Sequence, residues 1–197
     1  VNVGEEEAIT YYANNPAEFI KDHIGIGRCE CGCKLDPQQL EIIEAYREII
    51  LSKEAVARRD KHLKLKENGL EYREECLVAS KEQERISKLL GISVRAPKGT
   101  GKTSCVSFLI IHFMCCFGDD IKNLATAPKH GLLLDNLFPE VVKWIGHARK
   151  VNGNGSWVWN MLGEQKGKIY RKTYEEGKLT SAVNDNVVTL ARTSRIN

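Results

Sequence analysis

Apolar residues recur at helical spacing through the first fifty residues of the chain. Residues 5–14 predict one short helix, and residues 17–24 predict a second with an apolar face. Asp36 offers an N-cap side chain and Pro37 suits a first helical turn, so a third helix is expected to start there. Residues expected to point inward from these two helices are Phe19, Ile20, Ile24, Leu40, Ile43, Tyr46 and Ile50.

Residues 51–90 have a different composition. Asp, Glu, Lys and Arg make up 18 of these 40 residues, with both signs interleaved, and Asn68 is followed by the single glycine of the stretch, Gly69. This pattern predicts an inserted, solvated helical hairpin that turns at these two residues. We therefore divide the chain into an N-terminal helical region, residues 1–90, and a second region, residues 91–197.

The second region alternates strand-like and helix-like segments. Residues 92–96 predict a strand, a glycine-rich turn follows, and residues 104–117 predict an apolar helix. Residues 123–127 predict another strand and residues 130–145 an amphipathic helix; the pattern at 157–162, 167–174 and 186–191 is weaker. The expected fold class is α/β, a parallel sheet flanked by helices of the P-loop NTPase type.

Composition excludes some classes of protein. With 42% hydrophobic and 28% charged residues, the chain resembles an ordinary globular protein, and no apolar run is long enough for a membrane span. The formal net charge of +3 neither supports nor excludes contact with DNA. Seven cysteines without a regular disulfide pattern favour a reducing, cytosolic setting.

The glycine-rich turn carries the strongest chemical signal. Residues 96–103 match the phosphate-binding loop that ends in Gly-Lys-Ser/Thr, with an alanine at the leading glycine position. The predicted nucleotide-binding residues here are Ala96, Pro97, Lys98, Gly99, Thr100, Gly101, Lys102 and Thr103. Such a loop at a helix N-terminus holds a polyphosphate with backbone N–H groups.

Two side chains of the loop have roles that follow from their positions. Lys102 would contact the β- and γ-phosphates of ATP, and the Thr103 hydroxyl would coordinate Mg²⁺. Lys98 would either stabilise charge developing on the γ-phosphate as a second catalytic cation or be a solvated lysine.

Together these segments resemble the ATPase domain of the terminase large subunit, the DNA-packaging motor of bacteriophages. Residues 35–39 resemble the family's Q motif, in which Gln39 would contact adenine, and residues 94–103 resemble its variant P-loop. Residues 15–20, 126–128 and 190–194 resemble, in the family's order, the opening segment, a strand after the P-loop and the strand before Walker B.

The resemblance implies a function and a set of partners. The chain would bind ATP and Mg²⁺ in the host cytoplasm and couple hydrolysis to translocation of double-stranded DNA into a capsid. A portal protein, a small terminase subunit and a homo-oligomeric ring are the implied partners.

The sequence reaches Asn197 without an apolar strand ending in Asp-Glu, the Walker B segment of such ATPases. Whether the chain hydrolyses ATP therefore stays open. We interpret the chain as a fragment, a split gene's first half or a decayed copy. The alternatives are a non-hydrolysing nucleotide-binding or docking module and a helicase-like ATPase fragment.

A second chemically reactive segment is Cys29-Glu30-Cys31-Gly32-Cys33. Three nearby thiolates suit Zn²⁺, but the spacing differs from the Cys-x₂-Cys pairs of common zinc modules. A fourth ligand would have to be His23, Cys76 or a more distant residue, so free or oxidised thiols are the alternative interpretation.

Overall fold

The computed structural model describes residues 3–89, 91–95, 97, 99–117, 123–127, 133–165, 168–175, 178–181 and 188–193. Helices account for the larger part of them. The α-helices are α1 (Val3–Asn14), α2 (Pro16–Phe19), α3 (Pro37–Glu67), α4 (Lys81–Ser87), α5 (Lys102–Cys116), α6 (Phe138–Asn152) and α7 (Trp157–Met161). Two π-helical turns (Ile20–Ile24 and Leu133–Leu137) and two 3₁₀ turns (Glu74–Leu77 and Gly153–Gly155) connect them.

The strands form two small sheets. They are β1 (Asn123–Ala127), β2 (Leu162–Gln165), β3 (Lys168–Arg171), β4 (Thr173–Glu175), β5 (Lys178–Ser181) and β6 (Val188–Thr193). The larger sheet has the order β1-β6-β3-β2, in which β1 and β6 are parallel and the other pairs antiparallel. The other sheet is the antiparallel pair of β4 and β5.

The predicted fold class is therefore wrong. The described residues form a mostly helical structure with small mixed and antiparallel sheets, not the parallel sheet of a P-loop NTPase. Residues 91–95 show no strand conformation, although their pattern predicts one. Ile92 and Val94 are 39% and 41% exposed, whereas a central parallel strand is covered on both faces, so this apolar run does not enter the sheet.

Local signals were confirmed in the N-terminal region. Asp36 caps α3 through a capping box with Gln39, and α3 continues for 31 residues to the predicted turn at Asn68 and Gly69. Gly69 has a φ of 68°, which suits a residue without a Cβ. The chain then returns along α3, but as a 3₁₀ turn followed by α4 instead of one long helix, and Arg59 pairs with Glu84 across the hairpin.

The hydrophobic core surrounds α5. Its fully buried members include Phe108, Ile111 and Met114, and they pack with residues from the α2 segment, α6 and β3. The core thus draws side chains from both sides of residue 90, and the domain boundary proposed there stays a prediction.

The described helices include none with the length and hydropathy that a bilayer crossing requires.

Candidate phosphate-binding loop

The backbone of the loop has the conformation that glycine permits. Gly99 has a φ of 90° and Gly101 a φ of 68°, both in the left-handed region. Gly101 is the N-cap of α5 and provides no side-chain cap. The first helical hydrogen bond runs from the Cys105 N–H to the Gly101 carbonyl at 2.9 Å, so the Thr103 and Ser104 N–H groups precede the helical ladder. The α5 dipole adds partial positive charge here.

The Lys102 side chain folds back over this loop. Its ammonium donates a hydrogen bond to the Pro97 carbonyl and lies 3.3 Å from the Thr100 hydroxyl. The Thr100 hydroxyl donates to the same Pro97 carbonyl at 3.0 Å. These acceptors are neutral, so a negatively charged phosphate oxygen would offer the ammonium a stronger partner in the same place.

Gln39 is joined directly to the loop. Its Nε2 donates to the Gly101 carbonyl at 3.3 Å, while its Oε1 accepts from the Asp36 N–H at 3.2 Å. The side chain is 8% exposed, so both ends of the amide are occupied in a nearly buried position. The structure thus brings two of the segments singled out by sequence together, with Gln39 bonded to the protein backbone at both ends.

Thr103 and Ser107 complete the first turns of α5. Thr103 is exposed, which leaves its hydroxyl accessible for the predicted Mg²⁺ role, and its carbonyl accepts a 2.8 Å hydrogen bond from the Ser107 hydroxyl. A hydroxyl beside Lys102 fits a cation that is also bound by phosphate oxygens. Ala96 and Lys98 lie outside the described residues.

Sequence reasoning missed a carboxylate that is hydrogen-bonded to this turn. Glu140, on the first turn of α6, accepts hydrogen bonds from the Ser104 hydroxyl at 2.6 Å and the Trp144 indole at 2.7 Å, and Lys143 lies 3.1 Å away. Burial alone would raise the pKa of Glu140, but these donors outweigh it and hold the pKa below its ordinary value. The contacts of Glu140 with Lys143 and Trp144 follow from their spacing on one helix. The bond to Ser104 joins segments far apart in the chain, and no sequence pattern predicts it.

Two further segments of the family resemblance lie side by side. Within the parallel β1–β6 pair, Thr126 is opposite Arg192 and Ala127 is opposite Thr193. Pro128 and residue 194 lie outside the described residues. The predicted strand at 123–127 is therefore confirmed, as is the described part, 188–191, of the strand predicted at 186–191. The structure pairs the two strands, which do not belong to the predicted fully parallel sheet.

The cysteine segment forms a second cluster. Cys29 and Cys31 are disulfide-bonded, and the Cys33 sulfur lies 2.8 Å from that of Cys31. A ring nitrogen of His147 and the sulfurs of Cys29 and Cys31 all lie within 4.8 Å of one another. Among the described residues, this group includes neither of the fourth ligands considered from sequence, His23 and Cys76.

Comparison with known protein families, with curated protein sequences and with solved structures finds no match to this chain.

Proposed function

We propose that this chain binds the polyphosphate of a nucleotide, with Mg²⁺, at the N-terminus of α5. The observation that carries the proposal is the position of Lys102. Its ammonium is held over a loop whose two glycines have positive φ and which opens directly into a 15-residue helix. Backbone N–H groups, a helix dipole and a lysine at one place are the elements of phosphate recognition.

Binding would exchange the contacts that Lys102 now makes. The Pro97 carbonyl and Thr100 hydroxyl would give up the ammonium to phosphate oxygens, and the N–H groups of Thr103 and Ser104 would gain acceptors. The exposed Thr103 hydroxyl would hold Mg²⁺, which neutralises charge on the phosphates.

Titration calorimetry with a non-hydrolysable ATP analogue and Mg²⁺ tests this proposal. Lys102→Ala removes a charge-assisted hydrogen bond of about 1.5–3 kcal/mol, so we expect binding to weaken by about ten- to a hundred-fold. Lys53→Ala removes an equal charge from an exposed position on α3 and should leave the affinity unchanged. No saturable binding by the parent chain, or equal losses in both variants, would contradict the proposal.

Gln39 has two proposed roles that the same experiment separates. If Gln39 contacts adenine, Gln39→Ala weakens ATP but not GTP binding. If it positions the loop through the Gly101 carbonyl, the variant weakens both nucleotides equally. Two observations favour the positioning role: both ends of the Gln39 amide are hydrogen-bonded, and the residue is nearly buried.

The wider function that we propose rests on the resemblance to the terminase large subunit. In that role, nucleotide binding would drive translocation of double-stranded DNA in the host cytoplasm, with a portal protein, a small terminase subunit and other copies of the chain as partners. A filter-binding assay with duplex DNA, with and without the ATP analogue, tests the first step. Duplex affinity that is absent with and without nucleotide would refute the motor role but not nucleotide binding.

One observation favours a second candidate function, a docking module that uses the loop only as structure. Lys102 and Gln39 both bond to carbonyl groups of the loop itself, which closes it without a ligand. A parent chain that fails to bind the analogue while remaining folded would support this function.

A further inference from the structure

The cysteine segment approaches α6 through a series of turns. Residues 26–31 are turns, and Gly32 has a φ of 74°. The Gly27 N–H donates to the Cys33 carbonyl at 2.8 Å, which closes the segment into a compact loop. The alternating cysteines are therefore not spread along an extended strand. The sulfurs of Cys29 and Cys31 are bonded, and the Cys33 sulfur lies 2.8 Å from that of Cys31.

The loop is attached to α6 by contacts that do not involve the sulfurs. Asn152, at the end of α6, donates to the His23 carbonyl at 3.0 Å. Gly25 packs so closely on Val151 that a Cβ at this position would lie 2.8 Å from that side chain. The segment that leads into the cysteines is consequently fixed on α6, the helix that carries His147.

His147 has the environment of a metal ligand. Its Nε2 is buried and has no hydrogen-bond partner among the described residues. The ring also interacts with the backbone of Gly25. A backbone carbonyl that orients one ring nitrogen while the other faces a cation is the usual arrangement of metal-binding histidines. An unpartnered buried nitrogen costs free energy, and a bound cation would remove that cost.

We propose that, in the reduced chain, the thiolates of Cys29, Cys31 and Cys33 and the Nε2 of His147 bind one Zn²⁺. Two electrons and two protons from a thiol reductant convert the Cys29–Cys31 disulfide into two thiols. Zinc then takes the place of the three thiol protons, which pass to solvent. A single disulfide satisfies only two of the three clustered sulfurs and leaves the histidine nitrogen unpartnered, whereas one metal ion satisfies all four groups.

Binding would require the ligand atoms to move, because the Cys33 sulfur does not belong to the group of atoms that lie within 4.8 Å of one another. Zinc–sulfur bonds of about 2.3 Å in a tetrahedron place neighbouring sulfurs about 3.8 Å apart. The Cys31 and Cys33 sulfurs, now 2.8 Å apart, would separate by about 1 Å. Four protein ligands leave no open coordination position, so the site would be structural and would fasten the loop to α6. This inference does not depend on nucleotide binding.

The test is metal analysis of the full chain purified with a thiol reductant and zinc, followed by dialysis. We expect close to one zinc per chain, loss of bound zinc in His147→Ala and in Cys33→Ser, and retention in His147→Cys, which restores a fourth ligand. Cys76→Ser changes a cysteine outside the cluster and should keep the full content. Replacement of zinc by Co²⁺ should give the absorption spectrum of a tetrahedral thiolate site. This spectrum reports the ligands of the metal and does not respond to a small loss of stability in a variant.

Three results would overturn the proposal. One is a reduced, folded parent chain without zinc. Another is a disulfide that persists under reductant strong enough to reduce an ordinary one. The third is a His147→Ala variant that binds zinc as tightly as the parent, because the histidine would then not be a ligand.

Discussion

Replacement of Gly101 by alanine tests how the loop is held. Gly101 has a φ of 68°, and its carbonyl accepts the 3.3 Å hydrogen bond from Gln39 Nε2. A Cβ at Gly101 would overlap that same Nε2 and lie 3.5 Å from the Gln39 Cδ. Gly101→Ala therefore introduces backbone strain and also displaces the side chain that links α3 to the loop.

The two effects can be estimated separately. A non-glycine residue in the left-handed region costs about 1–2 kcal/mol. The displaced hydrogen bond contributes about 0.5–1.5 kcal/mol. We therefore expect Gly101→Ala to lower the free energy of unfolding by about 2–3 kcal/mol, and the melting temperature by about 2–4 °C per kcal/mol. Gly99 has a φ of 90°, and a Cβ there would meet no atom within 4 Å among the described residues beyond its chain neighbours, so Gly99→Ala should show the strain alone.

Urea unfolding of a double-mutant cycle measures the difference. In the Gln39→Ala background the overlap and the hydrogen bond are both absent, so Gly101→Ala should cost no more than Gly99→Ala. If Gly101→Ala costs the same with and without Gln39, the contact between α3 and the loop does not have the role assigned to it.

Two further predictions concern a half-buried carboxylate and a buried histidine, and are also tested by urea unfolding. Glu140→Gln should destabilise the chain by about 2 kcal/mol, because a neutral amide accepts the three donors more weakly. The folded pKa of Glu140 is depressed, so its contribution to stability is lost as pH falls through that pKa. This loss of stability in acid should be absent from Glu140→Gln. It should remain in Asp135→Asn, which changes an exposed carboxylate. Burial lowers the pKa of His112 to about 4, although its bond to the Tyr12 carbonyl opposes the shift. The unfolded chain therefore binds an extra proton below about pH 6.5, and stability should fall by up to about 3 kcal/mol as pH drops toward 4. His112→Gln, which can still bond Tyr12 and Tyr46, should flatten this dependence; an unchanged slope would contradict the assignment.

Features decided by neighbouring residues were predictable from the sequence. The start of α3 at Asp36 and Pro37 follows from capping chemistry, and its end at Asn68 and Gly69 follows from the left-handed turn. The helix at 104–117 and the strand at 123–127 were likewise confirmed, since each has a pattern that its own residues determine.

Sheet membership was not predictable in the same way. The apolar residues at 92–96 satisfy a local strand pattern, but a strand needs a partner elsewhere in the chain, and Ile92 and Val94 stay partly exposed. Similarly, β6 pairs with β1 in parallel but with β3 in antiparallel orientation. Local periodicity contains no information about strand direction, which is why the α/β prediction failed.

The candidate sites show the same limit. The loop at 99–103 was found from its motif, whereas the bond of Gln39 to Gly101 and that of Glu140 to Ser104 join residues far apart in the chain. His147 was likewise not named among the ligands considered for the cysteines, because it lies 114 positions after Cys33 and only the packing of the loop on α6 brings them together.

The central claim, that nucleotide phosphates bind at the N-terminus of α5, is tested most directly by amide NMR of the labelled chain. We predict that the ATP analogue with Mg²⁺ shifts the backbone amide signals of Gly101, Thr103 and Ser104 in a saturable way, and that Lys102→Ala removes these shifts. Unchanged loop signals at saturating analogue, or shifts confined to a surface away from α5, would contradict the claim.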